Sequence, residues 1–231
     1  MQPPADYNTA PAPGPNPDKA ALARVGRQVR ARLAADPGAY RFPVESAEIY
    51  ALGDFLSTDE CAGMIELIDK VARPSSAFDV DYGARHRTSY SGDVDRGAPL
   101  VRMVERRIDD LLGIDPDFGE AVQGQRYLTG QEFKPHCDWF WTKADYWKTV
   151  SKQGGQRSWT AMAYLSAVEE GGETMFTRLG ISVPPQPGAL LVWNNTCPDG
   201  SPNWDTLHAG MPVLRGVKYV ITKWYRTRTW G

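Results

Sequence analysis

The residues best suited to chemistry in this chain are His136 and Asp138, in the run Tyr127-Leu-Thr-Gly-Gln-Glu-Phe-Lys-Pro-His136-Cys-Asp138, together with His208 and Lys218 much further along. In an extended strand, side chains two apart project from one face, so an imidazole at 136 and a carboxylate at 138 are expected to face the same point. A second imidazole from a distant strand, His208, completes a two-histidine, one-carboxylate set. That donor set holds ferrous iron by one face and leaves coordination positions open for an oxidisable co-substrate and O2. The chain has three histidines, His86, His136 and His208; two fall in this frame, and His86 reads as a surface residue rather than a fourth ligand. Lys218 sits in Val217-Lys-Tyr-Val-Ile-Thr-Lys-Trp224, a run of high β-propensity, just after a Gly210 to Gly216 stretch that reads as a tight turn. A lysine buried there needs an anionic partner, and an organic acid bound beside the metal would supply one.

The elements that must position these residues change character along the chain. Residues 1–16 are rich in Pro, Ala and Asn, too poor in large apolar groups to offset chain entropy, and read as a disordered leader. Asn16-Pro17-Asp18 supplies an N-cap, a first-turn proline and an acid for the helix dipole. Leu22, Val25, Val29 and Leu33 then form one apolar stripe, ended by Pro37-Gly38, with Arg24, Arg27, Arg30 and Arg32 on a solvated face. Ser57-Thr-Asp-Glu60 is a capping box opening a second helix, with Cys61, Met64, Ile65, Ile68 and Val71 at helical spacing. A third helix is expected from about Pro99 to Leu112, with Leu100, Val104, Ile108 and Leu111 inward. From Ala121 onward, short runs rich in Val, Ile, Tyr, Trp and Thr alternate with Gly, Pro and Asn turns, the pattern of a sandwich or barrel. The fold class is therefore α+β, a β-rich core braced by N-terminal helices. Between the proposed ligands and Gly154-Gly155, the run Trp139 to Trp147 concentrates aromatic side chains that could serve as a lid or as core filling, and Tyr82 to Asp95 reads as a polar loop near the mouth.

Length and composition narrow the function classes. At 231 residues the chain suits one principal domain: leader 1–16, helical extension 17–46 and a catalytic domain over 47–231. Twenty-six basic against 28 acidic residues give a formal net charge of −2, which offers no general attraction to a phosphate backbone, so nucleic acid is not an expected partner. Cys61, Cys137 and Cys197 are odd in number and lack Cys-x-x-Cys spacing, which argues against a disulfide framework or a thiolate zinc site. Cys137, between two proposed ligands, reads as a small core residue pointing away from the metal. There is no apolar run of membrane-spanning length and no signal-peptide pattern at the start; no membrane partner and a cytoplasmic location are expected.

Beyond these readings, the sequence resembles the prolyl 4-hydroxylase family of iron(II)- and 2-oxoglutarate-dependent dioxygenases. The resemblance runs from about Tyr50 to Trp230, through Asp54-Phe-Leu-Ser-Thr-Asp-Glu-Cys61, Arg87-Thr-Ser89, Gln125-x-Tyr127-x-x-Gly-Gln131-x-x-x-Pro-His136-x-Asp138, Gly154-Gly-Gln-Arg157, Tyr164 to Phe176, Pro187 to Trp193 and the His208 to Trp224 block. It implies a double-stranded β-helix (jelly-roll) core. It implies iron on His136, Asp138 and His208, the distal carboxylate of 2-oxoglutarate on Lys218, and further co-substrate hydrogen bonds from Tyr127 and Thr174. Arg157 and Trp224 match family positions lining the pocket for the target proline of a peptide or protein. The implied reaction consumes O2, releases succinate and CO2 and hydroxylates the substrate; retention of Asp138 favours hydroxylation over halogenation, and ascorbate is implied as an accessory reductant. The family usually has tyrosine three residues before the first iron histidine, where this chain has Phe133. The lost hydroxyl keeps open the same chemistry on a free amino acid or other small molecule, beside a non-catalytic metal-binding module and a metal-binding cupin of another class.

Overall fold

The computed structural model describes residues 18–75 and 86–231. The leader expected over 1–16, the cap expected from Asn16 and Pro17, and the start of the loop expected from Tyr82 lie outside the described residues. The helices are α1 (Lys19–Ala35), α2 (Thr58–Val71), α3 (Pro99–Leu112) and the single turn α4 (Trp147–Val150). The strands are β1 (Tyr40–Arg41), β2 (Ile49–Leu52), β3 (Arg73–Pro74), β4 (Tyr90–Asp93), β5 (Gln123–Tyr127), β6 (Phe133–His136) and β7 (Arg157–Tyr164). They continue with β8 (Glu170–Gly171), β9 (Thr174–Phe176), β10 (Ile181–Val183), β11 (Leu190–Asn194), β12 (His208–Gly210), β13 (Val213–Arg215) and β14 (Lys218–Arg226).

All of the strand pairings are antiparallel. A major sheet runs β1-β2-β11-β7-β14-β5-β4-β3, and a minor sheet runs β10-β9-β12-β6. These are the two layers of a double-stranded β-helix. Strand alternation divides the major sheet's side chains between two cores. Trp159, Ala161, Ala163, Ile221 and Tyr225 join the helices in one cluster, whereas Met162, Tyr164, Val220, Leu191 and Trp193 join Phe176 between the sheets. The same alternation puts Lys218, Val220, Thr222 and Trp224 on the inter-sheet face, where all four line one slot.

The helices brace the outer face of the major sheet. In α1, Leu22, Val25, Val29 and Leu33 are buried as the periodicity requires, and Val25, Val29 and Leu33 belong to the same core as α3 and β7. Its Asp18 makes no side-chain cap; the buried carboxylate instead accepts from the Gln156 amide at 3.0 Å and pairs with Arg228, tying the helix start to the strand that carries Arg157. The capping box of α2 is present, with Ser57 accepting from the Glu60 amide and Glu60 accepting from the Ser57 amide. This helix lies so close to β5 that a Cβ on Gly124 would meet Ile68 at 2.3 Å.

The buried face of α3 differs from the expectation. Val101, Val104, Glu105, Ile108, Asp109 and Leu112 are inward, while Leu100 and Leu111 are only partly buried. The rotation is explained by Lys223 of β14, 1 % exposed, whose Nζ lies 3.3 Å from Glu105 and 3.0 Å from Asp109. The Tyr225 hydroxyl also donates to Asp109 at 2.5 Å. The interval Tyr82 to Asp95 is not a loop throughout, because Tyr90–Asp93 pairs with β5 as β4.

Candidate active site

His136 and His208 come from adjacent strands of the minor sheet and are direct register partners; their rings lie 4.3 Å apart between centroids. Each Nδ1 donates to a backbone carbonyl two residues earlier at 2.9 Å, His136 to Lys134 and His208 to Thr206. Those bonds fix the tautomer that leaves both Nε2 lone pairs available, the usual outer-shell arrangement for metal-binding imidazoles. Asp138 completes the group. Strand β6 ends at His136, so the carboxylate reaches the site from a bend after the strand, not from the two-residue alternation expected of it. Its Oδ2 accepts from Thr160 at 2.8 Å and lies 3.8 Å from His208 Nε2.

One ligand atom from each of His136, Asp138 and His208 lies within 4.8 Å of the other two. Asp138 is 5 % exposed. Burial raises its pKa, yet His208, Arg157, His136 and the Thr160 hydroxyl outweigh burial and hold the carboxyl below its ordinary value. Burial, then the neighbouring His208, keeps the His136 imidazole well below the ordinary histidine value and therefore neutral. A buried carboxylate with two imidazoles aimed at one point is the donor chemistry that ferrous iron requires.

The slot beside this group ends at Lys218. Its side chain is 2 % exposed, opposite Tyr127 in the strand register, with Nζ 3.5 Å from Thr174 Oγ1 and over the rings of Tyr127 and Tyr164 at 5.5 and 5.6 Å. No ion pair to Lys218 occurs among the described residues. Burial pushes its pKa down to about 7, with Glu173 pulling the other way. The Tyr127 hydroxyl donates to Gln125 at 2.8 Å, and the Tyr164 hydroxyl donates to Thr174 at 2.8 Å. A buried lysine with hydroxyls around it and no ion-paired carboxylate among the described residues is a fitting end for the far carboxylate of a small dicarboxylic acid whose other end reaches the metal.

On the opposite side of the ligands a cleft of about 320 Å³ opens, walled by Arg87, Phe133, Phe140, Arg157 and Trp224 among others. Arg157 and Trp224 are brought together as expected, the guanidinium 4.1 Å from the indole ring. Arg157 is not a loose loop residue: its Nε and Nη2 donate to Glu120 at 2.7 and 2.8 Å, and its Nη1 lies 3.7 Å from Asp138. Arg226 contacts the same Glu120 at 2.7 Å. In the run after Asp138, Trp139 and Phe140 are buried and line the cleft with Tyr146, Trp141 and Trp147 are half-buried, and the Gln156 side-chain amide bonds to both backbone groups of Phe140 at 2.9 Å.

Two local expectations are corrected. His86 is buried, packs edge-on against Phe133 at 5.8 Å, and has its pKa lowered to about 4, chiefly by burial and secondarily by Lys134; it stands outside the ligand group. Cys137 is half-buried in the cleft wall rather than in a core. Phe133 stacks directly on His136, with centroids 3.6 Å apart. Residues that sequence reasoning missed are Thr160 and Glu120, polar side chains whose roles arise from tertiary neighbours, and Gln125 enters there only as a motif position with no role assigned; the advance signal for Thr160 is a polar residue set in a strand-like run.

This fold and site define an oxygenase that combines iron with a 2-oxo acid, and residues 122–226 match the family model of the 2OG-Fe(II) oxygenase superfamily. Probable prolyl 4-hydroxylase 3 of Arabidopsis thaliana is 37 % identical over 196 residues, covering 74 % of this chain and 66 % of that protein. Prolyl 4-hydroxylase 1 of the same plant is 36 % identical over 208 residues, covering 79 % and 70 %. Among solved structures, the viral collagen prolyl hydroxylase from Paramecium Bursaria Chlorella virus-1 in complex with 2OG is similar at a TM-score of 0.60 and 26 % identity, over 76 % of this chain and 94 % of that one. The chain belongs to the prolyl 4-hydroxylase family of 2OG-Fe(II) oxygenases.

Proposed function

We propose that the protein hydroxylates prolyl residues in a peptide or protein, consuming 2-oxoglutarate and O2 and releasing succinate and CO2. The observation that carries this reading is the placement of His136, Asp138 and His208 between the Lys218 slot and the cleft containing Arg157 and Trp224. His136, Asp138 and His208 hold the iron. When bound, iron with 2-oxoglutarate supplies the oxidising power that replaces a substrate C–H bond with C–OH.

The chain's own residues do the positioning. Lys218 neutralises the distal carboxylate of the co-substrate, and Tyr127 and Thr174 form the polar walls beside it. Thr160 and Arg157 fix the Asp138 carboxylate from two directions. Trp224 and Phe140 flank the Arg157 guanidinium at 4.1 and 4.8 Å, which leaves Nη1 as the donor for a substrate carbonyl and keeps water from the ring being oxidised. Ascorbate as accessory reductant and cytoplasmic residence are further proposals, supported respectively by the family resemblance and by the three free cysteines.

A second reading, the same chemistry on a free amino acid or other small molecule, is favoured by Phe133, which places no hydroxyl at the mouth. Incubation with proline-containing peptides, iron and 2-oxoglutarate separates the two by whether the peptide mass rises by one oxygen.

A further inference from the structure

Among the described residues that wall the cleft, arginines outnumber the carboxylates left to balance them. Arg87, Arg157 and Arg226 line it against Asp93, Glu120 and Asp138, three against three. Asp138 is committed to the metal, so one cation is left over. Arg157 and Arg226 share Glu120. Arg87 forms no ion pair among the described residues: Nε donates to the Ser89 hydroxyl and Nη2 to the Gln123 side-chain carbonyl, both at 3.0 Å and both neutral. Asp93, in the same wall, hydrogen-bonds to Gln123 rather than to Arg87.

Arg87 is also rigidly presented. Its backbone bridges to Phe133, and its guanidinium lies over the Phe133 ring at 4.8 Å, the ring that stacks on His136. Burial lowers the Arg87 pKa, but a guanidinium stays cationic, and with Nε and Nη2 engaged its remaining N–H groups are left for a carboxylate. Burial of this cation is offset only in part by Tyr127 and by the Asp138 carboxylate, and a ligand anion relieves the remaining cost.

We infer that Arg87, set against the apolar face of Phe133, forms a carboxylate subsite that selects substrates carrying an acidic group next to the residue being oxidised. The inference deepens the prolyl reading and rests on it for the chain that bears the acid. Two sources of that carboxylate are chemically equivalent at the guanidinium, an acidic side chain adjacent to proline and the free C-terminus of a chain ending in proline.

The test uses the full chain with Mn(II) and 2-oxoglutarate and fluorescently labelled peptide pairs: Pro-Glu against Pro-Gln in mid-chain, and a terminal proline as free acid against its amide. Binding by anisotropy is read beside oxygen gain with iron. A charge-assisted hydrogen bond is worth enough to give about tenfold or more, so one acid peptide should bind at least that much more tightly than its neutral mate, and the pair showing the gap names the source. Arg87→Gln should erase the gap, and Arg87→Lys should restore part of it. Equal binding within both wild-type pairs, or a gap that persists in Arg87→Gln, overturns the subsite. If Arg87→Gln fails to fold, the wild-type pairs and loss of the gap at high salt decide the matter. A binding gap with no oxygen gained by any peptide would support the subsite while overturning the prolyl reading.

Discussion

Glu120 grips the Arg157 guanidinium through both Nε and Nη2, and that same guanidinium faces Asp138 at 3.7 Å. The substrate cleft and the metal ligands are thus joined through one side chain whose orientation is set by a carboxylate outside the ligand group. Arg226 adds a second cation to Glu120, so its charge is compensated from two sides.

Glu120→Gln should therefore loosen Arg157 without removing it. A buried pair broken from one side typically costs about 3–5 kcal/mol; Glu120 has a side chain 12 % exposed, which places the expected loss at the low end of that range. Denaturant unfolding measures this loss. Substrate KM should rise about tenfold while the 2-oxoglutarate requirement stays near wild type. A double-mutant cycle with Arg157→Gln that shows no coupling would contradict the linkage.

Lys218 makes co-substrate binding pH-dependent. With its pKa near 7, the free lysine is largely neutral at pH 8, whereas pairing with a carboxylate needs the ammonium form. Binding at pH 8 should take up close to one proton, and affinity should weaken as pH rises above 7. Isothermal titration of 2-oxoglutarate into the Mn(II) protein, in buffers of different ionisation enthalpy, measures that uptake. The sign for folding is the reverse of a salt-bridged lysine: the unfolded chain binds the proton that the folded chain has released, so this group raises stability as pH climbs from about 7 towards the ordinary lysine value. Lys218→Met should raise the 2-oxoglutarate requirement by orders of magnitude and leave metal binding intact.

Lys223 is a structural counterpart to Lys218 on the opposite face of β14. Lys223→Met keeps much of the volume but leaves Asp109 without a cation and Glu105 with only the more exposed Arg96, 3.3 Å away, with an expected loss of about 3–5 kcal/mol. The denaturation midpoint should fall accordingly, and protein that remains folded should keep its KM for 2-oxoglutarate. An unchanged midpoint would show that the two carboxylates are compensated elsewhere.

These two lysines mark the boundary of what was legible beforehand. Lys218 announced itself because a charged residue in a β-prone run near a metal motif needs an anion, and the alternation of β14 then placed it with Trp224. Lys223 lies in the same run, but its partners Glu105 and Asp109 sit on a helix where acidic residues normally face solvent, so the expected stripe of α3 holds at Val104 and Ile108 and fails at its ends, where Val101 and Leu112 face inward in place of Leu100 and Leu111. His136 and His208 were recognisable from residue type and spacing. The approach of Asp138 from a bend was not, because strand alternation predicts the same pair of residues for a different local reason. His86 is buried by packing against Phe133, a tertiary contact with no signature in its neighbours.

His136, Asp138 and His208 should each be needed for metal retention. Asp138→Ala should abolish hydroxylation, since it removes the one anionic ligand and leaves Arg157 facing an uncompensated position. Equilibrium dialysis with Fe(II) under anaerobic conditions, performed on each alanine variant, should show weakened binding in all three; wild-type affinity in every variant would reject the ligand set.

The most direct measurement is intact-mass analysis of proline-containing peptides incubated with the protein, Fe(II), O2 and 2-oxoglutarate, with succinate quantified in the same reaction. The expected result is a gain of one oxygen located on proline by fragmentation, matched by an equal amount of succinate and lost in Asp138→Ala. Succinate formation with no oxygen on any peptide, and with oxygen instead on a free amino acid or another small molecule, would contradict the prolyl assignment.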